Sequence, residues 1–318
     1  MLLPFIALAQ QKDTLVKKLD SLSKEEHDLK RNPTDSIRQE HYNDTTKLSF
    51  RTYFILLGNN LKQQVSAPFH LKGRDWGKVA KFGLLTAGVF AADKGINNFT
   101  VDLRDRSNTV VSVSNFVTRF GGAYEGYSLA ALAAYGIIFK HEKIKTTTLL
   151  ATQAYLTSLI YFEAFKFLSS RQRPEYYDPV TNKNQATFHG PFYRFKKDEN
   201  GTKPEKIRYS SFPSGHATLA FAAATVFSME YRDRTLVPII AYTSATLIAL
   251  SRITENKHWA SDVFVGAGLG FLTARQVVNN YHRYAKIRIE DAKKKNTLSF
   301  NLGFMNGRLL PGVIYTFR

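Results

Sequence analysis

Residues 210–227 read SSFPSGHATLAFAAATVF and place a turn directly before a run of small apolar residues. Pro213, Ser214 and Gly215 favour the turn, and the alanine-rich run predicts a buried helix. The start of such a helix exposes free backbone N–H groups, and the helix dipole favours an anion there. His216 then stands on the first helical turn, beside that anion. Taken alone, the stretch also fits an N-cap serine followed by a solvent-facing histidine.

A second stretch, residues 166–174, reads KFLSSRQRP and sets two cations seven positions apart. Seven residues are two helical turns, so we predict that Lys166 and Arg173 project from one helix face before Pro174 ends the helix. Two aligned cations suit a phosphate group. A helix end whose basic residues complement the dipole is the alternative interpretation.

The third stretch, residues 251–263, reads SRITENKHWASDV. His258 and Asp262 are four residues apart, so on a helix the carboxylate reaches one ring nitrogen and leaves the other as a nucleophile. Arg252 adds a planar guanidinium that fits phosphate oxygens. An ordinary helical His–Asp pair would show the same spacing.

The composition limits the partners. The chain has 318 residues, a formal net charge of +18 and no cysteine. A strongly basic chain suits nucleic acid, an anionic membrane surface or phosphate-bearing substrates. The lack of cysteine excludes a disulfide framework, a thiolate metal site and a cysteine nucleophile. The other histidines have no ligand spacing, so we predict no metal site; they are His27, His41, His70, His141 and His282.

Taken together, the three stretches resemble a known family. The patterns K-x6-RP, PSGH and SR-x5-H-x3-D are similar, in order, to the three signature motifs of the type 2 phosphatidic acid phosphatase and vanadium haloperoxidase superfamily. The resemblance spans about residues 79–275. It implies a helical core with the motifs at one end and, for the phosphatases, chemistry without a metal or any other cofactor.

The resemblance also implies a role for each motif residue. The groups expected to bind phosphate are Lys166, Arg173, Ser214, Gly215 and Arg252. The groups expected to act in catalysis are His258 as the nucleophile that forms a phosphohistidine, His216 as the acid that protonates the leaving alcohol, and Asp262 as the group that orients His258.

We predict an all-α fold with a six-helix core, a polar N-terminal helical arm and a small C-terminal β-hairpin. Six apolar stretches predict the core helices: 79–92, 126–139, 147–162, 217–229, 236–250 and 263–274. At about 12–16 residues each they span roughly 18–24 Å, which is short of a hydrocarbon core near 30 Å. Buried core helices and membrane spans therefore both remain open.

The predicted domains follow changes in composition. Residues 1–9 are a candidate signal peptide and 10–75 a polar, amphipathic extension, in which a helix over 50–66 ends at Ala67-Pro68. Residues 76–290 form the catalytic domain. Residues 291–318 form the hairpin appendage, with its turn at Asn306-Gly307. Three glycines inside one apolar stretch predict close helix packing; they are Gly266, Gly268 and Gly270.

The expected location is a bacterial-type cell envelope with the active site facing the periplasm. If all six helices cross a bilayer, basic loops after the second, fourth and sixth helices fall on one side, which the positive-inside rule makes cytoplasmic. A cleaved leader would instead leave the N-terminus and those loops outside. The two topologies exclude each other, and the sequence leaves both open.

The expected substrate is a phosphate-bearing lipid, with an anionic membrane surface as a partner and no nucleic acid. The long connection 170–211 carries aromatic residues that would shield a lipid tail: Tyr176, Tyr177, Phe188, Phe192, Tyr193 and Phe195. A loop histidine there, His189, is a weaker candidate for a substrate contact. Alternatives are a phosphatase of small soluble phosphate esters, a vanadate-dependent haloperoxidase and a non-catalytic membrane scaffold.

Overall fold

The computed structural model describes residues 15–24, 42–177, 187–195, 207–293, 297–305 and 308–316. The candidate signal peptide lies outside these ranges. Parts of the polar arm and of the long aromatic connection lie outside them as well.

Helices dominate the described chain, as the sequence predicts. They are α1 (residues 15–24), α2 (Phe50–Ser66), α3 (Gly73–Arg106), α4 (Asn108–Phe120), α5 (Ala123–Ile138), α6 (Glu142–Ser169), α7 (Gly215–Glu230), α8 (Leu236–Thr254) and α9 (Ala260–Lys293). All six predicted apolar stretches lie in helices, namely α3 and α5 to α9. The amphipathic helix α2 has the predicted bounds, with Ser49 as its N-cap. The helix α4 was not predicted.

The predicted helix lengths are wrong. Helices α3 and α9 have 34 residues each and α6 has 28, so α3 is about 50 Å long. The apolar stretches cover the middle of α3 and α6 and the N-terminal part of α9, because neighbouring polar and charged residues continue the same helices. Among the described helices, α8 alone is both long and apolar enough to cross a membrane.

The chain divides into two compact units, Leu48–Asn279 and a second unit of Met1–Lys47 with Asn280–Arg318. In the larger unit, α7 packs between α6 and α8, α5 packs on α6, and α4 packs on α8. A buried apolar cluster lies where α7, α8 and α9 meet; its members are Ala217, Ala249, Ile253, Ala260 and Val263. These helix ends carry the second and third motifs, so the core holds the motifs in place.

Glycines on α9 allow it to touch the backbone of α7, as predicted. A Cβ atom added to Gly266 would lie 2.6 Å from the Ser214 carbonyl oxygen, and one added to Gly270 would lie 2.1 Å from that of Thr218. Neither distance leaves room for a methyl group. We call this contact the glycine seam.

A second glycine contact lies on the other side of α9. A Cβ atom added to Gly268 would lie 2.8 Å from the ring of Phe82 on α3. Three helices therefore meet at one short segment of α9.

Large apolar side chains cover much of the outside of the larger unit. They lie on α3, α4, α5, α6 and α8, and we call them the apolar belt: Leu84, Leu85, Phe116, Ile137, Ile138, Leu159, Ile160, Ile239, Ile240, Leu247 and Leu250. Extensive exposed apolar surface commonly marks contact with lipid or with another protein.

The smaller unit ends in two antiparallel strands, β1 (Thr297–Met305) and β2 (Arg308–Thr316). Their register runs from Thr297 opposite Thr316 to Met305 opposite Arg308. The strands flank residues 306 and 307, where the sequence predicts the turn. In the same unit, the Lys18 ammonium of α1 forms an ion pair with Asp291 at 3.2 Å.

The glycine seam gives a first prediction. Gly270→Ala forces a methyl group against the Thr218 carbonyl, so we expect the free energy of unfolding to fall by about 1–3 kcal/mol. The matched control is Gly88→Ala on α3, where the added methyl meets open space and we expect a gain of about 0.4–1 kcal/mol. Thermal unfolding measures both, and equal midpoints would contradict the seam.

Candidate active site

The second motif forms the N-terminus of α7. Ser214 is the N-cap, and its hydroxyl accepts a hydrogen bond from Ala217 N at 3.5 Å. Gly215 is the first helical residue and His216 the second. N–H groups in the first turn have no partner inside a helix, so this end can receive an anion.

Lys166 lies against this helix start. A Cβ atom added to Gly215 would lie 3.5 Å from Lys166 Nζ and 3.2 Å from the ring of Phe162. The ammonium lies 4.6 Å from the centroid of that ring and 3.2 Å from a Glu163 oxygen. A side chain at Gly215 would press on the Phe162 ring but would meet the ammonium at ordinary contact distance, so Lys166 lies directly beside the backbone at the start of α7.

Arg173 does not lie on the helix of Lys166, contrary to the prediction. Helix α6 ends at Ser169, and Ser170 takes a left-handed conformation with φ 40°. The chain then runs on outside the helix, held by hydrogen bonds from Ser211 N to Arg171 O at 3.0 Å and from Arg173 N to Arg208 O at 2.9 Å. The Arg173 guanidinium reaches Ser210 Oγ at 3.5 Å.

Arg252 occupies the last turn of α8. Its guanidinium donates to Thr118 Oγ1 of α4 at 2.5 Å and pairs with Glu255. Its carbonyl oxygen accepts from His258 N at 3.2 Å. The turn that carries His258 is thus tied to the residue that supplies the guanidinium.

His258 precedes α9 rather than lying on it, which corrects the predicted helical pair. The helix begins at Ala260 because the Asp262 carboxylate reaches back and accepts from Trp259 N at 2.9 Å, capping the helix. His258 Nδ1 lies 2.7 Å from the Ser211 carbonyl oxygen and 3.8 Å from Asp262 Oδ2. The Ser211 carbonyl is therefore the nearer acceptor for Nδ1–H. It favours the tautomer with a free Nε2, and the orienting role of Asp262 stays a prediction.

The His258 ring is neutral at ordinary pH. Burial lowers its pKa to about 3; the nearby Asp262 carboxylate opposes this shift, and the guanidinium of Arg173 adds to it. A neutral ring with Nδ1–H donated to a carbonyl keeps its lone pair on Nε2. That is the state a nucleophile needs.

His216 shares the same electrostatic surroundings. Its ring lies beside the α4–α5 turn, with Cδ2 3.3 Å from where a Cβ of Gly121 would be. Its pKa is lowered to about 3, mainly by burial and then by the positive charges of Arg252, Lys166 and Arg173, in that order. All three predicted cations therefore act on one imidazole.

Four residues that hold these groups were not predicted: Asp93 of α3, Thr118 of α4, Arg171 and Ser211. Asp93 could have been identified from the sequence, because a carboxylate at the end of an apolar helical stretch requires a polar partner if it is buried. Arg171 lies inside the first motif, but its contacts are remote in sequence. Nothing in the sequence marks the Ser211 carbonyl as an acceptor.

The aromatic residues of the long connection have mixed positions. The side chains of Phe188, Phe192 and Phe195 are exposed. Tyr177 packs edge-on against Trp259 at 5.8 Å, next to His258. His189 stacks on Tyr193 at 4.3 Å, so its ring is engaged with the loop itself.

The described site therefore combines a buried, neutral imidazole at His258, the N-terminus of α7 and three cations that all act electrostatically on His216. Residues 145–286 match the family model described as the PAP2 superfamily. All three motifs lie within the matched segment.

Two curated proteins are similar to part of this chain. Lipid A 1-phosphatase of Porphyromonas gingivalis is 45% identical over 71 residues, which are 22% of this chain and 16% of that protein. The phospholipid phosphatase homolog 1.2 homolog of Caenorhabditis elegans is 34% identical over 116 residues, 32% of this chain and 34% of that protein. The chain thus spans about a sixth and a third of the lengths of these relatives.

Two solved structures are similar in part. The transmembrane PAP2 type phosphatidylglycerolphosphate phosphatase from Bacillus subtilis has a TM-score of 0.43 and 21% identity, covering 68% of this chain and 95% of that one. Aquifex aeolicus LpxE has a TM-score of 0.40 and 22% identity, covering 62% and 94%.

The pKa of His258 gives a second prediction. Its folded pKa of about 3 lies below its ordinary value of 6.5, so the unfolded chain binds more protons between these values. The stability that the neutral ring contributes is complete above pH 6.5 and is lost as pH falls below it, by about 1.4 kcal/mol per pH unit. We expect His258→Gln to flatten the fall in unfolding midpoint between pH 6.5 and 4.

The control is His70→Gln, which changes an exposed histidine after α2. It is expected to keep the steep wild-type dependence. An equally steep fall in His258→Gln would mean that His258 is not held neutral in the folded protein.

Proposed function

We propose that this protein is a metal-independent phosphatase that hydrolyses a phosphate monoester or diphosphate through a phosphohistidine on His258. The observation that carries the proposal is a buried, neutral imidazole with Nδ1 fixed at 2.7 Å from the Ser211 carbonyl. The cations Arg173 and Arg252 both act electrostatically on that ring. A phosphate group bound beside Nε2 would contact the nucleophilic nitrogen and would also be neutralised by the nearby cations.

The proposed phosphate cradle consists of side chains and one backbone amide: Lys166, Arg173, Ser214, the Gly215 amide and Arg252. Guanidinium groups bind phosphate oxygens in pairs, and an ammonium acts as a point charge. Three cations can neutralise a phosphate dianion and the charge that develops during transfer. This is the reason for proposing that the reaction needs no metal.

The proposed reaction has two displacements at phosphorus. The Nε2 lone pair of His258 forms a bond to phosphorus while the bond from phosphorus to the leaving oxygen breaks, and that oxygen takes the electron pair and a proton from His216. Water then attacks phosphorus and gives its proton to His216, and the P–N bond returns its electron pair to Nε2. The products are the alcohol and inorganic phosphate.

His216 must be protonated to start this cycle. In the empty site its pKa is about 3, first because of burial and then because of Arg252, Lys166 and Arg173. A bound phosphate dianion offsets those charges and raises the pKa. Binding of the substrate therefore favours the protonated form of His216, which is the form that acts as the acid.

A lipid phosphate is the proposed substrate class. The apolar belt exposes large side chains on five helices, and α8 has the length and composition of a membrane span. The curated relatives are named for phosphatase action on lipid A and phospholipids. The exposed phenylalanines of the long connection would contact the acyl or prenyl chain near the site.

The proposed orientation places the site on the periplasmic side of a bacterial-type envelope. The site lies at one end of the antiparallel helices α6, α7 and α8. The other end carries basic residues, and there Lys143 Nζ lies 3.6 Å from Asp233 and 4.5 Å from the ring of Tyr231. By the positive-inside rule this basic end faces the cytoplasm. We assign the catalytic domain to residues 76–290.

The third prediction tests the nucleophile. His258→Ala is expected to lower phosphate release from phosphatidate or a prenyl diphosphate by at least about 10³-fold, in buffer that contains a chelator. His70→Ala, at an exposed histidine, serves as the control and should keep wild-type activity. Turnover by His258→Ala at the control's rate would contradict the mechanism.

Three further assays distinguish the alternative functions. Bromide oxidation by peroxide that depends on added vanadate would support a haloperoxidase. Vanadate acting only as a competitive inhibitor would support the phosphatase. Hydrolysis of soluble esters with no preference for lipid phosphates would favour a non-specific phosphatase.

The fourth prediction tests the acid. His216→Ala is expected to lose about 10²–10⁴-fold in rate on an alkyl phosphate, whose leaving oxygen needs a proton. It should lose far less on an aryl phosphate with an acidic phenol as leaving group. His258→Ala should lose both activities equally, so equal losses in His216→Ala would remove it as the acid.

A further inference from the structure

A buried charge cluster lies behind the site, and two of its three members, Asp93 and Arg171, have no part in the proposed mechanism. Its members are Asp93 of α3, Arg171, and Asp262 at the start of α9. The side chains of Arg171 and Asp262 are 0% exposed and that of Asp93 is 2% exposed. Asp93 lies outside the segment that matches the family.

The Arg171 guanidinium bridges the two carboxylates. Nη2 donates to Asp93 Oδ2 at 2.7 Å, and Nη1 donates to Asp262 Oδ1 at 2.5 Å. The rings of Phe90, Phe188 and Trp259 surround the guanidinium, with centroids 4.7, 5.1 and 5.5 Å away. The bridge is therefore kept away from water.

Ser261 fastens Asp93 to the start of α9. Its backbone N–H donates to Asp93 Oδ1 at 2.8 Å, and its hydroxyl donates to Oδ2 at 2.5 Å. A helix from the N-terminal half of the larger unit thus holds the turn that carries His258.

The charges of the cluster do not cancel. Two carboxylates and one guanidinium leave one net negative charge, and Asp262 Oδ2 lies 3.8 Å from His258 Nδ1. When Nε2 bonds to phosphorus, the His258 ring becomes positively charged. Because charges interact strongly in a dry interior, the surplus negative charge favours that state. Without Asp93, Arg171 would neutralise Asp262 completely.

We propose that Asp93 and Arg171 are positioning residues for the phosphohistidine step: Arg171 holds Asp262, and Asp93 leaves that carboxylate free to stabilise the charged ring. This inference rests on the proposed function. It assigns the α3 helix a part in the chemistry, although α3 contributes no group to the phosphate cradle.

The test compares Asp93→Asn with Asp93→Glu in the full chain. Asp93→Asn keeps the shape and removes the charge, so we expect kcat to fall about 10- to 100-fold with KM within twofold of wild type. Asp93→Glu keeps the charge and should recover at least part of the lost kcat. The substrate is a radiolabelled phosphate ester.

Rapid quenching into base, in which phosphohistidine persists, gives a second readout. Asp93→Asn should slow formation of the phosphoenzyme but not its hydrolysis, because loss of the negative charge destabilises the charged ring that forms in the first step and is lost in the second. The steady-state level of phosphoenzyme should fall. A purely structural defect would not divide the two steps in this way.

Wild-type kcat and phosphoenzyme level in Asp93→Asn would overturn the proposal, as would equal slowing of both steps. If Asp93→Asn does not fold, Ser261→Ala provides the test, because it removes the hydroxyl hydrogen bond that positions Asp93 and leaves every charge of the cluster in place. It should slow phosphoenzyme formation to a smaller extent, and wild-type kinetics would count against the proposal. A wild-type protein that hydrolyses no phosphate ester would instead refute the proposed function.

Discussion

The carboxylate of Asp262 joins all three motif segments. Its Oδ1 accepts from Arg171, and its Oδ2 accepts from Ser211 Oγ and from Trp259 N. Its carbonyl oxygen accepts from the N-cap residue Ser214 at 3.0 Å. Burial by itself raises the pKa of this carboxyl, but Arg171, His258 and the Ser211 hydroxyl together outweigh it, so the net pKa is lowered and the group stays charged. A neutral group there would lose the charge that attracts these donors.

The cations of the proposed cradle each have a carboxylate neighbour. Lys166 pairs with Glu163 at 3.2 Å, Arg173 lies 3.9 Å from Glu175, and Arg252 pairs with Glu255. Such pairs hold the long side chains in place without an anion. Their attraction is partly screened where the carboxylate is half exposed, as Glu163 is, so a phosphate dianion can compete for the cation. The cradle is thus organised before it is occupied.

Sequence patterns predicted the local parts of this arrangement. The turn before α7 and the bounds of α2 depend on neighbouring residues and were predicted, whereas an N-cap role for Ser214 was only the alternative interpretation of its stretch. The helix end at Ser169 was not predicted, because the following residues are held by the long-range hydrogen bond from Ser211 N to Arg171 O. The non-helical position of His258 was not predicted either, although the bond from Trp259 N to Asp262 that starts α9 spans only three residues. Helix lengths failed for a different reason: charged residues continue a helix of which only a part is apolar. The residues that complete the site from outside the motifs could not be predicted, because they are remote in sequence from their partners. Thr118 accepts a hydrogen bond from Arg252, and Gly121 of the α4–α5 turn lies against His216, each across more than ninety positions.

The glycine seam makes the geometry of the site independent of the residues that would contact the substrate. Since Gly266 and Gly270 set α9 against the backbone of α7, the spacing between the nucleophile's turn and the anion-binding helix end does not depend on any side chain that faces the substrate. The exposed side chains of Phe192 and Phe195 in the aromatic connection are not part of this seam. Under the proposed function, replacing exposed loop residues changes which substrate binds and leaves the spacing of the proposed catalytic groups unaltered.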